Sequence, residues 1–160
     1  MKVFISYSHQ DREKALQISQ QLKENGFEVL GDFNLKLGEN LRNSLNNMLL
    51  QADVVVCLVT SSYNKSNFAS QELLTAYAYQ TARTTPQLLP VLFRGAEMPY
   101  ELQDVMYLEA NEETFKNVLI KIIAHLNILR DEKENRQKAA EEEREVLQVS
   151  LSQYIEETIY

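Results

Sequence analysis

Residues 53–59 read Asp-Val-Val-Val-Cys-Leu-Val, an unbroken β-prone apolar run with no helical period. A strand with one wet face alternates apolar and polar residues. A continuous run needs cover on both faces, the situation of a central strand in a parallel sheet. The neighbouring segments agree. Short β-rich runs occupy residues 2–6, 27–30 and 88–93, with a brief fifth at 106–108. Between them lie segments of helical spacing: 11–25, through Ala15, Leu16, Ile18 and Leu22 with Asn25-Gly26 as a stop; 41–51, through Leu41, Leu45, Met48 and Leu49; part of 61–83; and 114–129, through Phe115, Val118, Leu119, Ile122, Ile123 and Leu126. Strand–helix alternation of this kind predicts an α/β fold. Right-handed crossovers make its simplest form a flavodoxin-like, doubly wound, five-stranded parallel sheet, here with a C-terminal helical extension. Such sheets take ligands beyond the carboxyl ends of their strands. Residues 6–10, 32–39 and 60–68 are thereby expected on one rim.

At 160 residues the chain has room for one domain and an appendage. A body at 1–130 is large enough to bury a core without metals or disulfides. Cys57 is the sole cysteine, so disulfides and paired-cysteine metal sites are excluded, and it reads as a small buried hydrophobe. The N-terminus has one lysine before a strand-like run, not an apolar leader, and no stretch approaches the ~20 apolar residues of a membrane span. A cytoplasmic setting with no membrane partner is expected. Residues 131–160 hold nine acids and four bases, a net −5 of the chain's −7. The body is left nearly neutral and without a basic stripe, so no direct nucleic-acid partner is expected.

The segment 131–160 reads as a charged linker followed by an amphipathic C-terminal segment. Residues 131–145 suit an extended solvated helix or linker. Leu147, Leu151, Ile155 and Ile159 then recur every four residues, as in a helix, although Leu147, Val149 and Leu151 also alternate as in a strand. The pattern runs to the last residue without a cap. Either the chain continues in a longer protein or this segment binds a partner or further domain.

Fold alone does not select a chemistry. A phospho-acceptor receiver needs an acidic pair after strand one and an aspartate ending strand three; Ser6-Tyr7-Ser8 and Val59-Thr60-Ser61 stand there instead. The first loop is a poor phosphate cradle for a flavin, with a bulky Tyr7 and an early Asp11. Neither a Gly-x-Gly-x-x-Gly nor a Walker lysine is present. His9 and His125 have no metal or triad spacing, and no metal is expected. Glu72, read alone on its helix, is a solvated surface acid.

Three boxes in order change that reading. Phe4-Ile5-Ser6-Tyr7-Ser8 resembles the first box of TIR (Toll/interleukin-1 receptor) domains. Asp32 through Gly38, with Leu35, resembles the second box and its connecting loop, in the form common in bacterial members. Phe68-Ala69-Ser70-Gln71-Glu72-Leu73 resembles the third, where an aromatic precedes the catalytic glutamate by four positions. The resemblance covers about residues 1–129. It implies cleavage of NAD+ at the nicotinamide–ribose bond, with Glu72 as the catalytic acid and NAD+ as substrate rather than cofactor. Ser6, Tyr7 and Ser8 are then candidates for the substrate, the latter two for its adenosine half. Asp32 and Phe33 open the loop, and Lys36 is its nearest cation, either a pyrophosphate contact or a solvated lysine. Phe68, one turn before Glu72, either stacks on nicotinamide or packs under the loop. In this family the loop commonly bridges protomers, so self-association is the implied switch. The resemblance therefore implies an NAD+ nucleosidase of the antiviral-defence type, activated by oligomerisation. An ADP-ribosyl cyclase and a non-catalytic TIR–TIR scaffold stand as alternatives.

Overall fold

In the computed structural model of the protein, residues 1–110 and 114–159 are described, the side chains of residues 67 and 68 apart. Five strands form the sheet: β1 Lys2–Ser6, β2 Glu28–Leu30, β3 Val54–Val59, β4 Gln87–Phe93 and β5 Leu108–Ala110. All pairings are parallel, in the order β2-β1-β3-β4-β5. The helices are α1 Arg12–Glu24, α2 Leu41–Gln51, α3 Asn67–Arg83 and α4 Phe115–Ile159. The doubly wound sheet expected from β3 is present, and all six residues of that strand are buried.

Local chemistry sets the helix ends. α1 stops where Gly26 takes a left-handed φ of +85°, with the Phe27 amide returning to the Leu22 carbonyl. Asn40 caps α2 by accepting the Asn43 amide at 3.0 Å, and Ser66 caps α3 by accepting that of Ala69 at 3.2 Å. Residues 61–66 form a turn before α3 because the Thr60 hydroxyl already accepts the Tyr63 amide, which accounts for the partial helicity of 61–83.

Strand alternation sorts the core. Phe4, Val55, Cys57 and Val59 form one cluster with Leu45 and Leu49 of α2 and Ala69, Leu73 and Ala76 of α3. Ser6 lies two residues beyond Phe4, on that same face. Ile18 and Leu22 of α1 are fully buried elsewhere. Truncating Ile18 to alanine is expected to cost about 2–5 kcal/mol in denaturant unfolding, since the cavity adds to the lost transfer energy.

Two expectations need correction, and one open alternative is decided. β5 lies at Leu108–Ala110, not 106–108: Ala110 is buried and paired with Phe93, whereas Met106 is 89% exposed. Apolar character marked the segment, but the sheet takes its later half. Leu16 and Leu41, counted in the apolar spacing of α1 and α2, are each 44% exposed. For residues 131–159 the helical alternative holds: they continue α4, their alternating apolar residues falling within its helical run. The chain divides into two compact units, Met1–Ile123 and Ala124–Tyr160. The second is helical through residue 159, and Leu147, Leu151, Ile155 and Ile159 are exposed on it.

Candidate active site

Glu72 is the sixth residue of α3, and it is 7% exposed. The reading of a solvated acid is therefore overturned. The cause is its position: Ala69, Leu73 and Ala76 are the buried stripe of α3, and Glu72 falls between them at helical spacing. Its carboxylate accepts a hydrogen bond from the Ser6 hydroxyl, Ser6 Oγ to Glu72 Oε2, at 2.8 Å. Among the described residues Ser6 is the one side-chain donor to it. Tyr63 Oη stands 3.0 Å from Ser6 Oγ. With the serine proton directed at the carboxylate, the tyrosine is the donor of that second bond.

The chain Tyr63–Ser6–Glu72 is buried throughout. Desolvation raises the Glu72 pKa from 4.5 to about 8, against the Ser6 hydrogen bond, which lowers it; the Asp32 charge adds a smaller push upward. Burial likewise holds the Tyr63 hydroxyl well above its ordinary range. Cys57, paired in register with Ser6, is driven up to about 12, chiefly by burial, and is an inert thiol. At neutral pH the resting site thus holds a proton on its acid.

The exposed edge of Glu72 opens on a cleft of about 510 Å³ between α2 and α3. Its walls alternate apolar and polar groups: Leu45, Leu49 and Leu74 with Arg42, Asn46 and Thr75. This volume suits a ligand of drug-like size.

The other expected site residues sort differently. Tyr7 and Ser8 are buried beyond Ser6 at the end of β1. The Tyr7 hydroxyl donates to Asp32 Oδ1, His9 Nδ1 lies 3.8 Å from Asp32 Oδ2, and the Tyr7 ring stacks on Phe33 with centroids 6.1 Å apart. Burial, then the Asp32 hydrogen bond, raises the Tyr7 pKa. These contacts fix the second-box loop to the first box; Gly31 is tight against the Phe33 ring, where a Cβ would come within 2.9 Å. Lys36 is exposed and does not line the cleft, and neither do Tyr7, Ser8, Asp32 or Phe33. The Phe68 side chain lies outside the described residues.

Sequence reasoning missed three participants. Tyr63 sits in a polar turn, where burial has no periodic signal. Arg42 is exposed, and only the placement of α2 brings it to the cleft. Asp11 is buried, accepting from Thr60 Oγ1 at 2.6 Å and facing Lys14 Nζ at 3.6 Å, so it ties the first box to the turn before α3. Asp11→Ala is expected to lower stability by about 1–3 kcal/mol, because Thr60 loses its acceptor, while leaving the Glu72 pair in place. Denaturant midpoints measure that loss.

The parallel sheet of this order carries two buried acids at its carboxyl rim, Glu72 facing the cleft and Asp11 bonded to Thr60. Residues 3–122 match the TIR domain, and the chain belongs to that family. It is 33% identical over 72 residues to the 2' cyclic ADP-D-ribose synthase BtTIR of Bacteroides thetaiotaomicron, a match covering 44% of this chain and 25% of that protein. The chain thus spans a quarter of the length of this curated relative. Among solved structures it resembles the TIR domain of the Toll-related receptor TRR-2 of Hydra magnipapillata, with a TM-score of 0.61 and 19% identity over 81% of this chain and 95% of that one. The TIR domains of the activated Roq1 resistosome align with a TM-score of 0.53 and 21% identity over 57% of each chain. Both likenesses are of fold. No helix among the described residues is long and apolar enough to cross a membrane.

Proposed function

We propose that this TIR domain consumes NAD+, breaking the bond between nicotinamide and ribose, with Glu72 as the catalytic carboxylate. The observation that carries the reading is the buried Glu72–Ser6 pair opening on a cleft. The relationship to a cyclic ADP-ribose synthase supports the substrate class.

One acid is enough for this reaction. Nicotinamide departs as a neutral base, taking the bond's electron pair onto the nitrogen that bore the positive charge. No proton donor is needed, unlike the second carboxyl of ordinary glycosidases. What the site must do is stabilise cationic charge growing at the anomeric carbon. A fixed carboxylate in a dry site does this far better than one in water. The resting acid is protonated, but the pyridinium ring of NAD+ supplies a positive charge beside it. Binding therefore pulls the Glu72 pKa back down and releases the proton. After cleavage the same carboxylate takes a proton from the attacking water, giving ADP-ribose, and passes it to solvent. Ser6 orients the carboxylate, and Tyr63 orients Ser6.

The relative also supports a second branch, in which a hydroxyl of the substrate's own adenosine end captures the ribosyl cation, gives up its proton to the Glu72 carboxylate, and a cyclic ADP-ribose forms. The antiviral setting and activation by self-association belong to the same proposal. The second-box loop, held at Asp32 and Phe33 and largely exposed beyond them, offers a surface for a neighbouring TIR domain, and TIR domains are present together in the Roq1 resistosome.

Chromatography of NAD+ incubated with rising protein concentration tests the reading. Nicotinamide with ADP-ribose defines a hydrolase, nicotinamide with a cyclic isomer a cyclase. Specific activity is expected to climb steeply with concentration. Intact NAD+ at every concentration, in protein that binds to itself, would make the domain a scaffold.

A further inference from the structure

The proposed chemistry uses the buried carboxyl group of the cleft and leaves its exposed polar wall unexplained. Arg42 stands there. It is the single cation among the described residues lining the cleft, and no described residue forms an ion pair or hydrogen bond with it. We infer that Arg42 is the anion contact of this site, holding the pyrophosphate of a dinucleotide whose nicotinamide riboside end meets Glu72. The inference rests on the reading of the substrate given above.

The placement follows from the fold. α2 returns from the carboxyl rim of a parallel sheet to begin β3, so its first turn is at the rim and its last turn is below. Arg42 is the second residue of α2, and Leu49, fully buried and on the same wall, lies seven residues later, about 10 Å along the axis. Glu72 is the sixth residue of α3, more than a turn in from its start, and is bonded to Ser6 of the sheet. The cation is exposed and the acid is buried, on two helices that both line one cleft. They are not paired with each other. NAD+ has the complementary layout: a positive ring, a ribose, then two negative phosphates. A planar guanidinium is suited to bidentate contact with phosphate. Lys36, the loop cation expected for this task, is outside the cleft.

Arg42 is exposed, so replacing it should not unfold the protein. Kinetics with NAD+ and with nicotinamide riboside, which has no phosphate, separate its role from that of Glu72. Arg42→Ala is expected to raise KM for NAD+ about 10- to 30-fold with kcat within about threefold, as for loss of a uniform binding contact to a charged group. Arg42→Lys should fall between, and turnover of the riboside should not change. Calorimetric titration with ADP-ribose supplies a readout free of turnover, where Arg42→Ala should weaken binding at least tenfold. Unchanged KM and ADP-ribose affinity in Arg42→Ala, or an equal loss on NAD+ and the riboside, would overturn the assignment. So would a wild-type protein that binds no ADP-ribose. A wild-type protein that binds ADP-ribose through Arg42 yet leaves NAD+ intact would keep the anion site and sink the proposed reaction instead.

Discussion

Replacing Glu72 by glutamine is expected to make the protein more stable above pH 8, although it removes the acid on which the proposed reaction depends. The carboxyl is forced into an apolar stripe, and burial lifts its pKa from 4.5 to about 8. Between those values the folded protein holds a proton that the unfolded chain has released. Stability contributed by the neutral acid is thus complete below about pH 4.5, falls as pH rises, and is gone above about 8. The penalty at high pH is of the order of 3–5 kcal/mol. Glutamine keeps the shape and can still accept the Ser6 hydroxyl through its carbonyl, yet never ionises. Denaturant unfolding of the two proteins should give similar midpoints near pH 4.5 and diverge progressively toward pH 9. Parallel curves over that range would mean that Glu72 is solvated in solution.

Ser6→Ala is the second large effect. Without the one hydroxyl that favours the ionised form, the midpoint of the pH–rate profile for kcat/KM should move up by about one to two pH units from a wild-type value near 8. Activity at pH 7 then falls about tenfold or more and recovers substantially as pH is raised. Tyr63→Phe should move the midpoint in the same direction by less, since it acts through Ser6. A merely structural defect would lower activity at all pH values alike, so a vertical drop without a shifted midpoint would remove Ser6 and Tyr63 from their positioning roles.

The sheet was legible because β3 is apolar without interruption, and a parallel sheet is the environment that suits such a strand. β5 was read two residues early because Met106 and Tyr107 look like strand residues, while Ala110, the residue that the sheet buries, carries little signal. The extent of α4 was left open because residues 131–145, with no apolar face from which to count a period, suit an extended helix and a linker alike. Family boxes picked out Glu72, but its burial was also written in Ala69, Leu73 and Ala76: a charged residue inside a buried stripe is costly unless it has work to do. Arg42 and Lys36 show the opposite limit. Both are exposed cations beside the second-box loop, and which of them lines the cleft depends on how α2 packs against α3, a fact of tertiary structure alone.

The most direct test is nicotinamide release from NAD+ by the wild-type protein and Glu72→Gln side by side, at high protein concentration and pH 8, with folding of both checked by thermal unfolding. The account predicts release by the wild type and a loss of at least 10²–10³-fold in the more stable variant, the scale seen when an electrostatic partner of the transition state is removed. Equal release by both would contradict it, because the buried acid would then have no part in breaking the bond.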